Sequence, residues 1–188
     1  MGTVAAPSGF ALRRHPTGQS RAKAYTIDAA YATAIGFGDA VILNTNGTVT
    51  VGAAASDLLG VFAGCEYVDP NGKPCVSPNW PGTSGCTNIV AWVYDDPENE
   101  FEVQASAAAS GYVQAAIGDQ ADLVAGTVNA FGRSTQALNA TLKGAGVQGQ
   151  FRIIGFGPEG AYDASLNTIP TVLVKIARHQ FVAVKTAI

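Results

Sequence analysis

A mainly β fold, a small β-barrel or β-sandwich, is what this sequence predicts, and three observations predict it. The 188 residues include 22 glycines and 9 prolines, which punctuate the chain too often for long helices. Short β-branched and aromatic runs recur between those breaks. One pair of runs is joined through Asn46-Gly47, a dipeptide suited to the positive φ angles of tight hairpins. The length is that of one domain able to hold a core without staples.

The first segment, Met1 to Lys23, carries Gly, Pro and Ser with Arg13, Arg14, Arg21 and Lys23, and no acid precedes Asp28. It reads as an extended basic arm with no obvious way to bury itself. Residues 24–188 then form a single β-rich domain. Gly38 to Asn44 and Thr48 to Val51 are the two arms of the Asn-Gly hairpin. Leu58 to Val68 is a second apolar run whose internal glycines predict a bulge or a bend in a curved sheet.

Residues 69–88 hold four of the nine prolines, Pro70, Pro74, Pro78 and Pro81, and predict a loop insertion unable to propagate a ladder. Trp80 inside it is either an exposed interface anchor or a local packing residue, whereas Trp92, within the run Ile89 to Tyr94, is expected in the core. Asp95 to Asn99 should turn that run back onto Phe101 to Gln104 as a second hairpin. Between Ala105 and Gly149 small residues dominate and only Ser134 to Leu142 could form a helical turn or two. Phe151 to Phe156 and Thr171 to Ile176 read as late strands, with Phe181 to Val184 as a candidate last one.

The net charge of −3 lacks the basic excess that neutralises a phosphate backbone, so nucleic acid is not an expected partner. No run approaches the roughly 20 apolar residues that span a bilayer, and the first sixteen residues contain no apolar signal core, so no membrane partner is expected either. Production in a cytoplasm would keep Cys65, Cys75 and Cys86 reduced, with a Cys75–Cys86 bridge open to formation after lysis.

Candidate chemistry is sparse. His15 and His179, the two histidines, lie at no metal-binding or nucleophile–base spacing. The cysteines, ten and eleven residues apart, form no Cys-x-x-Cys knuckle, so neither a zinc site nor any cofactor is expected. Gly144 to Gly149 matches G-x-G-x-x-G but precedes a strand-like run, where the dinucleotide fingerprint follows a strand and opens a helix.

Asp95, Asp96, Glu98, Glu100 and Glu102 place five of the fourteen acids in eight residues, while the arm carries four of the eleven basic residues. The acidic cluster is a solvated turn, a cation site or a contact between subunits, and the last option would let arm and turn set register by opposite charge. Arg13, Arg14, Arg21, Lys23, Trp80, Asp95, Asp96, Glu98 and Glu100 are accordingly the candidate interface residues. No nucleophile, base and stabiliser can be assembled, which argues against an enzyme.

The ordered blocks Ser8-Gly9-Phe10 with the basic arm, Gly38-Asp39-Ala40-Val41, Leu59-Gly60-Val61-Phe62, Tyr94-Asp95-Asp96-Pro97 leading into Phe101 to Gln104, and Thr171 to Ile176 leading into His179-Gln180-Phe181 resemble a family of tailed-bacteriophage capsid decoration, or cement, proteins. The segment 69–88 lies outside that resemblance. The resemblance implies a β-tulip-like core and a non-enzymatic virion protein, made in the host bacterial cytoplasm, that sits on the capsid exterior. Its implied partners are the major capsid protein and copies of itself, a trimer first and a dimer second, and it would stabilise the shell by bridging capsomers. The alternative from another class is a small-molecule or carbohydrate-binding β-sandwich, calcium-dependent through the acidic turn.

Overall fold

The computed structural model describes residues 5–144, 146–158 and 160–182. Its strands are β1 (Ala11–Arg14), β2 (Lys23–Tyr25), β3 (Ala40–Leu43), β4 (Val49–Val51), β5 (Gly60–Val68), β6 (Pro74–Ser77), β7 (Thr87–Tyr94), β8 (Glu100–Gln104), β9 (Gln120–Ala121), β10 (Leu123–Val124), β11 (Ala137–Leu138), β12 (Phe151–Phe156) and β13 (Thr171–Ile176). Among the described residues the one helical element is a single 3-10 turn at Gln114–Ala116.

The mainly β expectation holds. One sheet runs β1-β8-β13-β12-β9 and the other β2-β7-β5-β3-β4, with β6 added to β5 and a separate β10-β11 ribbon. The main sheets stay open rather than closing into a barrel, giving a sandwich-like arrangement. Between them lies a core to which the first sheet gives Phe101, Val103, Phe151, Ile153, Val172 and Val174, and the second gives Ala40 and Val61. Alternation along the second sheet sends Val41, Phe62, Cys65, Ala91 and Val93 to its opposite face, where loop residues Ile27, Ile35, Trp80 and Cys86 cover them.

Two local expectations are met at the level of the backbone. The β3–β4 hairpin pairs Val41 with Val51 and Leu43 with Val49. Gly47, at φ 80°, takes the left-handed position that closes the turn, and its amide donates to the Asn44 carbonyl at 2.9 Å. In β5 the register against β7 slips between Phe62 and Gly64, and Gly64 has φ 127°, so the glycine marks a bulge. The late strands β12 and β13 pair with each other.

Other expectations are corrected. The turn Asp95–Asn99 does not close a hairpin: β7 already has β2 and β5 on its edges and β8 has β1 and β13, so the turn carries the chain from one sheet to the other. No helix forms at Ser134–Leu142. Gln136 is fully buried with its side-chain oxygen accepting from the Ala40 amide at 2.8 Å, and Ala137–Leu138 is drawn into pairing with β10. The insertion 69–88 does propagate a ladder, because β6 pairs with the second half of β5 as an edge strand, where a proline at the first position is tolerated. Phe181 and Val182 lie in a turn, and residues 183–184 of that candidate strand fall outside the described residues.

The arm differs most from expectation. Phe10 is buried and stacks on Phe151 with ring centroids 4.3 Å apart. The next four residues form β1 on the edge of β8, and Lys23–Tyr25 pairs with β7. Burying Phe10 contributes about 1.5–3 kcal/mol, which offsets the ordering of only one or two residues, so the ring anchors the arm together with the β1–β8 and β2–β7 ladders.

Candidate interaction surface

The basic arm and the acidic turn meet within one chain. Arg13 donates through Nε to Glu102 Oε2 at 2.7 Å, and Arg14 pairs with Glu100 across the β1–β8 ladder. His15 Nε2 lies 3.3 Å from Asp96, and Lys23 Nζ lies 3.6 Å from Asp95. From the other side Lys175 reaches Glu98 at 2.9 Å and Glu100 at 3.7 Å. The Tyr25 hydroxyl donates to Asp95, and burial first, then that carboxylate, push the phenol well above its ordinary pKa. Most of these pairs are exposed, so they set the register of the arm more than they add stability. Apart from Arg21, the charges that could have joined two subunits are therefore engaged inside one.

The remaining candidates divide. Arg21 is exposed, forms no ion pair among the described residues and lines a shallow hollow with Lys23, Asp95 and Asp96. Trp80 is fully buried: its ring packs edge-on against Tyr67 and its Nε1 donates to the Tyr31 carbonyl at 3.0 Å, which makes it a core residue and not a surface anchor. Trp92 shows the reverse, half-exposed on the face of β7 opposite Ala91 and Val93, with Nε1 donating to Glu66 at 3.2 Å. Of the two readings open for Trp80 the packing role holds, whereas the core position expected of Trp92 does not.

The blocks that carry the resemblance are structural joints. Asp39 is buried and accepts from the Gly36 amide at 2.6 Å, and burial raises its carboxyl pKa while hydrogen bonds from Ser134 and Gly36 oppose the rise. Gln180 copies a strand neighbour by accepting from the Leu43 amide at 2.7 Å and donating to the Leu43 carbonyl at 2.9 Å. His179 is buried, and its Nδ1 accepts from the Phe181 amide at 3.1 Å. Its Nε2 must then carry the proton and donate to the Asp95 carbonyl at 2.9 Å. Burial lowers the pKa of this imidazole, against a smaller upward pull from Asp95. The Tyr-Asp-Asp-Pro turn and the His-Gln-Phe segment, far apart in sequence, are thereby clasped together.

Cys65, Cys75 and Cys86 are free thiols, with Cys65 and Cys86 buried and Cys75 half-exposed. Burial, followed by the neighbouring thiols, pushes Cys65 up to about 12. Among the described residues no group of three or more His, Cys, Asp or Glu side chains is placed to hold a metal ion. Gly144–Gly149 falls in loop and turn structure before β12, with Ala145 outside the described residues. Among the described residues no helix is long and apolar enough to cross a membrane.

Sequence reasoning missed Phe131, 84% exposed at the tip of a tight turn. Asn129 rigidifies that turn, its side-chain oxygen accepting from the amides of Phe131 at 2.9 Å and Arg133 at 3.0 Å. The Asn-x-x-Gly spacing of Asn129 and Gly132 was the available signal for the turn, though nothing local showed that the phenylalanine would point outward. It also missed a cleft on the outer face of the first sheet, lined by Arg152, Gln148, Lys175 and His179. Compared with known proteins, this chain matches no family model, no curated protein and no solved structure.

Proposed function

We propose that the chain is a non-enzymatic structural subunit that attaches to the outside of a tailed-phage capsid and holds neighbouring capsomers together, as a homo-oligomer with three copies in the first instance. The observation that carries the reading is Phe131. A large aromatic held out to solvent on a preorganised turn is the kind of group that anchors a protein interface. The block order described above points to the capsid as the partner. Such a ligand, binding only the assembled shell, stabilises it by mass action, and repeated modest contacts add through avidity.

The test is sedimentation of the purified chain with empty, undecorated capsids of its own phage. Deleting residues 1–23 would strip Phe10 and β1 from the fold, so single surface changes are the sharper variants. Saturable co-sedimentation is expected for the unaltered protein, about tenfold weaker for Phe131→Ser, with Arg21→Glu altering its salt dependence. A folded protein that never co-sediments would overturn the proposal.

A further inference from the structure

The outer face of the first sheet carries a row of charges that ends without its last partner. The β1–β8 register sets Arg14 opposite Glu100, and the β8–β13 register sets Phe101 opposite Val174, which brings Lys175 beside Glu100. Lys175 is in turn directly opposite Arg152 on β12. Arg14, Glu100 and Lys175 alternate in sign, but Lys175 and Arg152 are two cations face to face, an arrangement that destabilises a strand pair. Glu98 answers Lys175 at 2.9 Å. Arg152 has no carboxylate within ion-pair distance among the described residues.

Two buried polar atoms meet this place. Arg152 Nε, a donor, and Gln148 Oε1, an acceptor, are both out of contact with water and both lack a hydrogen-bond partner. Such atoms are uncommon in folded proteins and call for a missing partner. Both residues line one cleft of about 160 Å³, whose walls also include Ile154, Ile176, Ala177 and His179, together with Glu98, whose carboxylate is held by Lys175.

We infer that this cleft binds a carboxylate carried next to an N–H or O–H donor on a short apolar stem, with Arg152 taking the carboxylate, Gln148 accepting from the donor and Lys175 supplying the second positive charge. Arginine Nε–H binds carboxylate oxygen directionally, and the ligand would relieve the repulsion across β12 and β13. Two sources offer this chemistry: a free acylated amino acid, and an acidic residue in another polypeptide. The inference does not depend on shell attachment, since it concerns a different face from the Phe131 turn and is read by a different measurement.

The test uses the full-length, nitrogen-labelled protein and follows the Nε–H resonance of each arginine by NMR. N-acetylalanine and the capped tripeptide acetyl-Ala-Glu-Ala-amide are titrated separately, against N-acetylalanine amide and the Gln-containing tripeptide as uncharged controls. A saturable shift of the Arg152 resonance with a millimolar dissociation constant is expected, at least fivefold weaker for the uncharged partner of whichever acid binds. Lys175→Gln and Gln148→Leu, each with an otherwise unchanged backbone spectrum, should weaken binding about two- to fivefold. Tighter binding of the tripeptide assigns a polypeptide source, and tighter binding of N-acetylalanine a free acid. An Arg152 shift no larger than that of exposed Arg21, or equal for acids and their uncharged analogues, would overturn the inference.

Discussion

Replacing Phe10 by alanine tests whether the arm belongs to the folded body. Phe10 is 1% exposed, stacks nearly parallel on Phe151 at 4.3 Å, and its amide donates to the Gly38 carbonyl at 2.8 Å. Removing a buried phenylalanine costs about 3–5 kcal/mol, the transfer of the ring plus the cavity it leaves. In a protein of this size that corresponds to a fall in Tm of roughly 6–20 °C. The ion pairs of Arg13 and Arg14 are too exposed to hold β1 alone, so the strand should detach from β8 before the rest unfolds. Urea denaturation would read the total loss, and hydrogen exchange at the amides of Ala11–Arg14 the local one. The reasoning is refuted by a loss below about 1 kcal/mol with those amides still protected, because the arm would then be held by something other than its aromatic anchor.

The folded-state pKa of His179 is depressed below its ordinary 6.5, so its contribution to stability is complete above that value and is lost as pH falls from 6.5 through the folded pKa. Urea midpoints should therefore drop on acidification across this window, and His179→Gln should flatten the slope; equal slopes would show that the imidazole is not the group responsible. Among the thiols, burial of Cys65 and Cys86 leaves half-exposed Cys75 as the reactive one. A chromogenic disulfide reagent should find one fast thiol in the native protein and three in denaturant, with the fast phase absent in Cys75→Ser, whereas two or more fast native thiols would contradict the packing.

Period-two runs and turn chemistry made the strands legible, because strand formation and the Asn-Gly hairpin depend on neighbours a few residues apart. Pairing was not legible. Tyr94 and Glu100 sit either side of a turn that locally resembles a hairpin, yet they enter different sheets because each strand's edges are filled by distant segments. The alternation of β7 told that Trp92 and Val93 face opposite ways, but not which face would be covered. Loop residues from far along the chain decided that, and they brought Trp80 inward.

Charge was legible in the same partial way. Composition alone paired a basic arm with an acidic turn, and complementary charges do meet; whether they meet within one chain or between two depends on the position of Phe10, since a docked arm spends its cations locally. The outer cleft lay beyond the sequence altogether. Arg152 and Lys175 are 23 residues apart, and only the β12–β13 register sets them face to face. By itself the sequence determined a β-rich body, the Asn-Gly turn, a bulge or bend within Leu58 to Val68 and two late strands, each fixed by local backbone preference. The tertiary structure decided which aromatic residues are buried, where the arm lies and which charges are left unanswered, because burial and register are set by contacts between segments that no local window contains.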